Sequence, residues 1–424
     1  MNIMVVGGGG REHAIIKKLK LSKEIDTIYA LPGNAGIASD AVCVPIGAKD
    51  IDGIVRFAAE NNIGYAVVAP DDPLVLGAVD RLNDIGIKCF GPNAAAAQIE
   101  GSKIFSKNLM KKYHIPTAAY ETFDNAADAE AYLETVSFPI VIKADGLALG
   151  KGVIIAEGKS EAVDAVRSMM EDKVFGASGS RIVIEEFLTG PEVSVLAFTD
   201  GKTVKPMISS MDHKRALDND EGLNTGGMGT VAPNPYYTKE IADICMETIF
   251  IPTIHAMNSE GRSFKGCLYF GLMLTPNGPK VIEYNCRFGD PETQVVLPLL
   301  KSDLFTIMKA TTEGTLDRTE VSFSDESACC VIVASNGYPK KFESGFRLEV
   351  PGDTERDFSF VAGAKKDQNG VTISAGGRVV GVTSVRETLS EAIDAAYKRA
   401  ADVRLENGYY RRDIGKKALE AYKK

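Results

Sequence analysis

The sequence predicts an α/β protein that consists of more than one domain. In the first hundred residues, short apolar segments typical of strands alternate with segments of helical periodicity, an order that favours a parallel sheet covered by helices. The chain has 424 residues, enough for two to four domains. Hydrophobic residues make up 45% of it and charged residues 25%, values typical of globular proteins, so a substantial core is expected.

The predicted elements fall into three regions along the chain. In the first region, strands are expected at residues 2–6, 27–31, 65–69 and 87–90, with helices at 12–21, 51–60 and 74–85. The second region has strands at 138–143, 181–186, 265–274 and 281–287, with helices at 102–112 and 237–258. The third region, the last hundred residues, has strands at 328–334, 372–374 and 378–383 and a helix at 389–405.

Composition excludes several classes of protein. The net charge of −9 and the absence of a long basic run argue against nucleic-acid binding. No run approaches 18 consecutive apolar residues, so no membrane span is expected, and the start of the chain is too short for a signal-peptide core. Seven cysteines show no C-x-x-C pair, and Cys329 and Cys330 lie in an apolar run, which predicts reduced, buried thiols in a cytoplasmic protein.

A glycine turn at residues 7–10 lies between the first strand and the first helix. Glycines there let backbone N–H groups approach an anion at the helix N-terminus, and Arg11 follows directly. A dinucleotide site would need an acidic residue about 20 positions on, where the second strand instead ends in Pro-Gly-Asn-Ala-Gly at 32–36. The turn therefore favours a phosphate-bearing ligand, or else a turn that needs glycine for steric reasons alone. His13 is more typical of a packed helix histidine than of a catalyst.

Three later segments suggest a nucleotide and a second anion. Lys143 ends an apolar strand and is followed by a glycine-rich segment with Lys151, which suits a polyphosphate better than a plain hairpin with a solvated lysine. The spacing differs from a P-loop. The strand that ends at Glu185 and Glu186 can bind an adenine edge through its backbone, unless the two acids are simply solvated. The loop at 224–229 can hold a small anion through backbone N–H groups.

The most informative segment is the strand at 281–287, followed by Gly-Asp-Pro-Glu. Side chains two residues apart share a face of a strand, so Glu283, Asn285 and Arg287 should project together. The opposite face should carry Ile282, Tyr284 and Cys286. Two oxygen ligands beside a guanidinium suit a hard divalent cation with a phosphate next to it, whereas an edge strand that is merely charged would have no reason to cluster these poor strand formers.

Together these motifs resemble the glycinamide ribonucleotide synthetases (phosphoribosylamine–glycine ligases) of the ATP-grasp superfamily. The resemblance runs from residue 1 to about 415. It rests on the motifs Gly-Gly-Arg-Glu-His-Ala (9–14), Pro-Gly-Asn-Ala-Gly (32–36), Glu-Gly-Ser-Lys (100–103), Ile-Lys-Ala-Asp-Gly-Leu-Ala (142–148), Gly-Lys-Gly-Val (150–153), Ile-Glu-Glu-Phe-Leu (184–188), Asp-His-Lys-Arg (212–215), Asn-Thr-Gly-Gly-Met-Gly (224–229) and Glu-Tyr-Asn-Cys-Arg-Phe-Gly-Asp-Pro-Glu (283–292).

The resemblance implies an ATP-grasp fold preceded by a Rossmann-like parallel-sheet domain and followed by a small α+β domain. The implied boundaries are 1–100, 101–325 and 326–424, with a mobile lid subdomain at about 117–190. The implied activity joins glycine to 5-phosphoribosylamine through a glycyl phosphate, with ATP as co-substrate and Mg²⁺ or Mn²⁺. The resemblance implies small-molecule substrates only, no nucleic acid or membrane, and a monomer or weak homo-oligomer.

Residue roles follow from the same resemblance. The implied metal ligands are Glu283 and Asn285. The implied ATP-binding residues are Lys103, Lys143, Glu185, Glu186, Phe187, Leu188 and Glu192. The phosphoribosylamine is expected at Gly9, Gly10, Arg11, Gly33, Asn34 and Asp71. Arg287 is expected to stabilise the transferring phosphoryl group, and the candidates for the glycine site are Asp212, Lys214, Thr225, Gly226 and Gly227.

Three positions depart from the family pattern, which usually has Glu at Asp71, Asn at Gly8 and Thr at Ala364. None of these removes an implied metal or ATP residue. Gly376-Gly377-Arg378 resembles a family segment in the domain that closes over the site, although a β-turn with a surface arginine is an equal alternative. The competing functions are a carboxylating ATP-grasp enzyme that depends on bicarbonate, a dinucleotide oxidoreductase, and a nucleotide-binding protein without catalysis.

Overall fold

The computed structural model describes residues 1–147 and 152–422. Its N-terminal region is built on a five-stranded sheet whose neighbouring strands all pair in parallel, as predicted. In spatial order the strands are Val42–Cys43, Thr27–Pro32, Asn2–Gly7, Ile63–Val68 and Lys88–Phe90. The helices of this region are Gly10–Leu19, Ile51–Glu60, Asp71–Val75, Ala78–Asp84 and Ala94–Gly101, with a 3₁₀ turn at Ile37–Ser39. The central strand is apolar and buried because it lies inside a parallel sheet.

One predicted helix of this region is wrong. The segment 74–85 forms two short helices, because Gly77 between them has a φ of +85°, a left-handed conformation that interrupts a right-handed helix. The first of them begins at Asp71, three residues earlier than predicted. Asp71 is therefore the first residue of a helix, and a short connection separates it from the strand Ile63–Val68.

The region predicted as a lid forms its own four-stranded antiparallel sheet. In spatial order its strands are Tyr120–Phe123, Ile182–Glu186, Ile140–Ala144 and Val153–Ala156. The helices Ala126–Leu133 and Lys159–Met170 pack on this sheet and share a separate apolar core with it. A 3₁₀ turn, Gly176–Gly179, precedes the strand Ile182–Glu186. The glycine-rich segment 146–152, which belongs to the predicted mobile lid, falls mostly on residues 148–151, which lie outside the described part of the chain.

A second antiparallel sheet of four strands contains the segment with Glu283 and Asn285. In spatial order its strands are Val204–Pro206, Glu192–Thr199, Gly266–Thr275 and Gly278–Asn285. The surrounding helices are Lys103–Lys112, Lys239–Cys245, Ile251–Ser259, Thr293–Leu299 and Leu304–Glu313. The helix predicted at 237–258 is present, but a π-helical turn, Met246–Phe250, interrupts it. Pro252 follows that turn and has no backbone N–H to donate, which explains the disturbed hydrogen-bond ladder.

The C-terminal region contains a six-stranded sheet. Its main path runs Met211–Asp212, Gly229–Ala232, Ser327–Ser335, Arg378–Arg386 and Asp357–Val361, and Gly408–Tyr409 also pairs with Ser327–Ser335. Two of these strands precede residue 325, so the sheet joins segments on both sides of the predicted boundary. The predicted helix 389–405 ends early, at Asp402, because Val403 is extended and Arg404–Leu405 pairs as a strand with Leu348–Glu349.

The remaining elements are short. Hairpins are formed by Arg215–Leu217 with Glu221–Asn224 and by Ala364–Lys366 with Thr372–Ser374. Asp218–Asp220 and Leu316–Arg318 are 3₁₀ turns, and Lys416–Ala421 is a helix. Six of the seven cysteines are buried, as predicted, and Cys43 is partly exposed. Within the described residues, no helix has both the length and the apolarity needed to cross a bilayer.

Candidate active site

The strand Gly278–Asn285 presents the predicted polar face. Glu283, Asn285 and Arg287 are partly accessible, whereas the intervening Tyr284 and Cys286 are buried. The alternation starts at Glu283 because the pairing with the neighbouring strand shifts register just before it, next to Ile282. Asn285 Oδ1 accepts a hydrogen bond of 3.1 Å from Arg287 Nη2, so the amide and the guanidinium lie side by side.

Positive charge converges on Glu283. Burial by itself would raise the pKa of this carboxyl group, but Lys214, Lys143, Lys103 and Arg287 outweigh the effect and lower the pKa below its usual value. Glu283 is therefore ionised, and four cations from different parts of the chain act on it together.

Two lysines from different elements flank this carboxylate. Lys103 begins the helix Lys103–Lys112, and its Nζ donates to Gly146 O over 3.0 Å. Lys143 ends the strand Ile140–Ala144, and its Nζ donates to Ile282 O over 3.1 Å. Burial is the main reason that the pKa of Lys103 is lowered, although Glu283 opposes the effect. The structure thus brings the two predicted phosphate-binding lysines to the strand Gly278–Asn285, which together with the residues up to Arg287 is called the metal-type strand below.

The carboxylate of Glu185 is already engaged. It forms ion pairs with both Lys143 and Lys107, and all three side chains are at most 7% exposed. Lys107 also donates to Thr117 Oγ1 over 2.8 Å. Sequence reasoning missed Lys107, which lies one helical turn after Lys103 and carried no motif of its own. Glu185 therefore serves to hold the two lysines, and its backbone lies in the sheet between Tyr120 and Val141.

The residues predicted for adenine and ribose lie along one connection. Glu186 is exposed at the end of the strand Ile182–Glu186, and Phe187 and Leu188 after it are half-buried. Glu186 N donates to Ala119 O over 2.9 Å. Glu192 begins the next strand and its side chain is exposed. The carboxylates of Glu186 and Glu192 and the apolar pair between them therefore remain accessible to a ligand.

The N-terminal turn is tightly self-bonded. Gly9 N donates to Glu12 Oε2 over 2.6 Å, and Gly33 N donates to Gly7 O over 3.1 Å. Arg11 is 9% exposed, and its guanidinium donates to Glu12 Oε1 over 2.6 Å and to Phe288 O over 3.1 Å. Arg11 is therefore held by the protein itself and would offer a ligand only the donors left over.

The side chain of Asn34 closes the turn rather than facing open space. Its Nδ2 donates to Gly8 O and Val361 O, and its Oδ1 accepts from Gly36 N and Ile37 N. The glycine at position 8, a departure from the family pattern, is explained by crowding, since an added Cβ would lie 2.5 Å from Gly33 O. These contacts fix the shape of the loop to which we expect a phosphate to bind.

His13 behaves as the packed helix histidine that the sequence suggested. Its Nε2 bonds Asp40 Oδ2 over 2.9 Å, and its Nδ1 accepts from Val361 N over 2.9 Å. Both ring nitrogens are satisfied, so His13 joins the N-terminal helix to the C-terminal sheet and has no nitrogen left for chemistry.

Asp71 lies near two arginines of the site. Burial would raise its pKa, but Arg287 and Arg11 hold the pKa below its usual value. A buried carboxylate, Glu100, also pairs with Arg287 over 2.8 Å. Arg287 thus acts electrostatically on Asp71 and is itself held by Glu100. Glu100 was part of a sequence motif, but its spacing gave no sign of this pairing across 187 residues.

A buried cluster of charges lies beside Glu283. Lys214 Nζ pairs with Asp212 Oδ2 over 2.7 Å and lies 3.9 Å from Glu292 Oε1. Burial would lower the pKa of Lys214, but Asp212, Tyr269, Glu292 and Glu283 hold it well above its usual value. Lys214 is therefore a fixed cation, one that can contact an anion through the exposed third of its side chain. Glu292 was not predicted to take part.

The loop 225–229 forms hydrogen bonds within the protein. Thr225 N and Thr225 Oγ1 both donate to Lys214 O, and Met228 N donates to His213 O. Gly226 N donates to Tyr338 Oη over 3.1 Å, and Gly227 N donates to Thr225 Oγ1 over 2.9 Å. The N–H groups proposed to bind an anion are therefore consumed within the protein. The loop instead packs around the strand that carries Asp212 and Lys214.

Arg378 is not the surface arginine of the alternative interpretation. Its side chain is 20% exposed and forms an ion pair with Asp290 Oδ1 over 3.3 Å.

A separate cleft of about 340 Å³ lies between the lid strand Val153–Ala156 and the hairpin around Leu223, and it is lined by none of the predicted site residues. Within the described residues, no cluster of three or more His, Cys, Asp or Glu side chains has a metal-binding arrangement.

Comparison with known proteins agrees with this architecture. Models of the phosphoribosylglycinamide synthetase family match the chain three times: the N domain at 1–100, the ATP-grasp (A) domain at 101–293 and the C domain at 328–417. A phosphoribosylamine–glycine ligase from Caldanaerobacter subterraneus is 45% identical over 98% of this chain and 99% of its own. The same enzyme from Halalkalibacterium halodurans is 46% identical over 99% of this chain and 97% of its own.

Solved structures give the same result. The crystal structure of a phosphoribosylamine–glycine ligase from Thermotoga maritima superposes with a TM-score of 0.86 at 32% identity and covers 98% of this chain and 100% of its own. A biotin carboxylase domain from Hydrogenobacter thermophilus has a TM-score of 0.76 at 15% identity, with 96% and 91% covered, a likeness of fold alone. On the strength of these full-length matches, the chain belongs to the phosphoribosylglycinamide synthetase family.

Proposed function

We propose that this protein is an ATP-dependent ligase that joins glycine to 5-phosphoribosylamine and releases ADP and phosphate. One observation carries the proposal: Glu283 and Asn285 lie on one strand face, with Lys103, Lys143, Lys214 and Arg287 as the cations that act on Glu283. This is a preformed site for a polyphosphate whose terminal group is to be transferred. Membership of the family supplies the choice of substrates.

The residues present fit a divalent cation. Glu283 is ionised, the amide oxygen of Asn285 is two residues away on the same face, and both are hard oxygen donors of the kind that Mg²⁺ and Mn²⁺ prefer. Such a cation would neutralise phosphate charge. Because Mg²⁺ is usually bound by few protein ligands together with substrate phosphates, one carboxylate and one amide suffice.

The protein's own contribution is positioning and charge. Lys103 and Lys143 hold the ATP phosphates, and the segment 185–188 and Glu192 hold adenine and ribose. The glycine carboxylate attacks the γ-phosphorus and the bond to the ADP oxygen breaks, which gives glycyl phosphate. Arg287, kept in place by Glu100, stabilises the charge of the transferring group. No side-chain nucleophile is required.

The second step takes place between two substrate subsites. Asp212 and Lys214 form the glycine subsite, where Lys214 is the fixed cation for an anionic group. The phosphate of the amine substrate lies at the N-terminal turn, near Arg11, Gly33 and Asp71. The amine attacks the acyl carbon of glycyl phosphate, loses a proton and displaces phosphate, so an amide bond forms. In the cell we expect the enzyme in the cytoplasm, as a monomer or weak homo-oligomer.

A release assay for ADP tests the proposal directly. The complete mixture contains ATP, a magnesium salt, glycine and freshly made 5-phosphoribosylamine, and each component is omitted in turn. We expect ADP release to require both glycine and the amine, with glycinamide ribonucleotide as the product. A carboxylating enzyme, which shares this fold, would instead release ADP with bicarbonate and without glycine. That result would refute the proposed ligase.

A further inference from the structure

We propose that Arg378 and Asp290 form a positioning pair that fixes the two substrate subsites relative to each other. Arg378 begins the C-terminal strand Arg378–Arg386, and Asp290 lies in the turn after the metal-type strand. Neither residue belongs to the machinery described so far. The inference rests on the proposed function, because it concerns where the glycine and amine subsites lie.

Arg378 holds one subsite through a single nitrogen. Its Nη1 donates to Gly226 O over 2.8 Å, to Gly227 O over 3.3 Å and to Asp290 O over 2.9 Å. Gly226 and Gly227 belong to the loop that packs on Asp212: a Cβ at Gly227 would lie 2.6 Å from Asp212 Oδ1, and a Cβ at Gly226 would lie 2.9 Å from the guanidinium carbon of Arg378. The guanidinium therefore fills the space that the glycines leave open.

Asp290 holds the other subsite. Its Oδ2 accepts from Arg11 N over 3.4 Å, at the start of the first helix, and its Oδ1 accepts from Gln294 Nε2 over 2.8 Å. The Oδ1 atom also faces Arg378 Nη1 at 3.3 Å. Asp290 therefore contacts both the N-terminal glycine turn, at Arg11 N, and Arg378 in the C-terminal region. The Arg378–Asp290 pair connects segments that are 88 residues apart, and the Arg11–Asp290 contact spans 279 residues.

The Arg378–Asp290 pair should affect the KM values of some substrates and not of others, which a contact that only stabilises the fold would not do. Nucleotide contacts are assigned to Lys103, Lys143 and residues 185–192, none of which bonds Arg378 or Asp290 in the described structure. Loss of Arg378 should therefore loosen both the loop 225–229 and the turn 7–11 and leave the nucleotide site intact. The apparent KM for glycine and for the amine should rise together, and the KM for ATP should not.

The test compares Arg378→Ala with Arg386→Ala. Arg386 is a matched control, because it lies on the same strand and pairs with Asp357 over 2.9 Å but contacts neither loop. We expect Arg378→Ala to raise the KM for glycine and for 5-phosphoribosylamine by roughly tenfold each, since it removes charge-assisted hydrogen bonds. We expect the KM for ATP to change less than about twofold, and Arg386→Ala to leave all three constants unchanged. Added guanidinium ion at low concentration should partly restore Arg378→Ala.

Hydrogen exchange gives a readout that does not depend on activity. Amides of residues 7–11 and 225–229 should both exchange faster in Arg378→Ala than in Arg386→Ala. If Arg378→Ala does not fold, Arg378→Lys, which keeps the charge but cannot make the same contacts, is expected to show the same changes to a smaller degree. Faster exchange in only one of the two segments, or a rise in the KM for ATP equal to that for glycine, would overturn the pair's role. Failure of the wild-type protein to use glycine would refute the proposed ligase. The exchange result would still test the role of the Arg378–Asp290 pair, because it does not depend on activity.

Discussion

Arg287 Nη2 and Glu100 Oε1 form a buried ion pair of 2.8 Å that joins the metal-type strand to the helix Ala94–Gly101. The other carboxylate oxygen, Glu100 Oε2, accepts from Cys286 N over 2.7 Å. Burial would lower the pKa of Arg287, but Glu100 and Asp71 raise it, so the guanidinium stays charged. The position of the cation proposed to act on the transferring phosphoryl group is thus set by a residue of the helix that leads into the ATP-grasp segment.

Arg287→Ala is expected to reduce both turnover and stability. The variant leaves Glu100 buried without its partner, a type of change that costs about 3–5 kcal/mol of unfolding free energy. Turnover should fall by about a hundredfold or more because the charge is needed most during transfer. Urea unfolding and steady-state kinetics measure the two effects. Arg167→Ala, which breaks an exposed pair with Glu130, should cost less than about 1 kcal/mol. Equal losses in the two variants would contradict this account of Arg287.

Glu283→Gln should lower turnover by about a hundredfold or more and leave the fold intact. The change removes a charged ligand from a position on which four cations act. Circular dichroism checks the fold, and ADP release at saturating magnesium checks turnover. Glu313→Gln, which breaks an exposed pair with Lys88, is the control and should retain full activity. Near-normal turnover of Glu283→Gln would rule out Glu283 as a metal ligand.

Arg11→Ala should mainly weaken the amine substrate. A charge-assisted contact to phosphate is worth roughly 1.5–3 kcal/mol, which corresponds to a rise in KM of roughly tenfold to a hundredfold. The KM for ATP should stay nearly constant. Steady-state kinetics with each substrate varied in turn separates the two. If ATP were weakened as much as the amine, the glycine turn would be a nucleotide site. No effect on either substrate would mean that the contacts to Glu12 and Phe288 are the whole role of Arg11.

The sequence was sufficient where one local pattern decides the structure. Alternation along 283–287 predicted the shared face of Glu283 and Asn285, and apolar runs predicted the parallel sheet. It failed where a partner lies far along the chain. Three residues contact the site through partners that are 78 to 279 positions away in the chain: Lys107, Glu100 and Asp290. No rule based on local spacing predicts such contacts. The local sequence likewise gave no sign that N–H groups of the loop 225–229 have partners within the protein, such as Tyr338.

Lys107→Met should weaken ATP binding although Lys107 is not assigned to the phosphates. Glu185 now divides its charge between Lys107 and Lys143. Without Lys107, Lys143 would be held more strongly by Glu185 and would be less available to a phosphate. We expect the KM for ATP to rise by about five- to tenfold and the KM for glycine to stay unchanged. Lys111→Met is the matched control, since Lys111 lies over the same Tyr120 ring without pairing to Glu185. A rise in the KM for glycine alone would contradict this mechanism.

His213 lies between Asp212 and Lys214 and is fully buried. Its Nδ1 donates to Gly229 O over 3.1 Å, which leaves Nε2 as the acceptor for Gly415 N over 3.1 Å. Protonation of Nε2 would abolish the second bond. Burial, with Arg411 nearby, lowers the pKa of His213 to about 4. The neutral ring therefore ties the proposed glycine subsite to the C-terminal segment at neutral pH.

This arrangement predicts a pH dependence of stability. The unfolded chain takes up a proton at His213 below about pH 6.5, whereas the folded protein does so only near pH 4. The contribution is therefore complete above about pH 6.5 and is lost as the pH falls toward 4, by up to about 3 kcal/mol. Urea unfolding between pH 7 and 4.5 should show wild type losing stability faster than His213→Asn, while His255→Asn, a change at an exposed histidine, should follow wild type. Parallel curves for wild type and His213→Asn would show that His213 is not the titrating group.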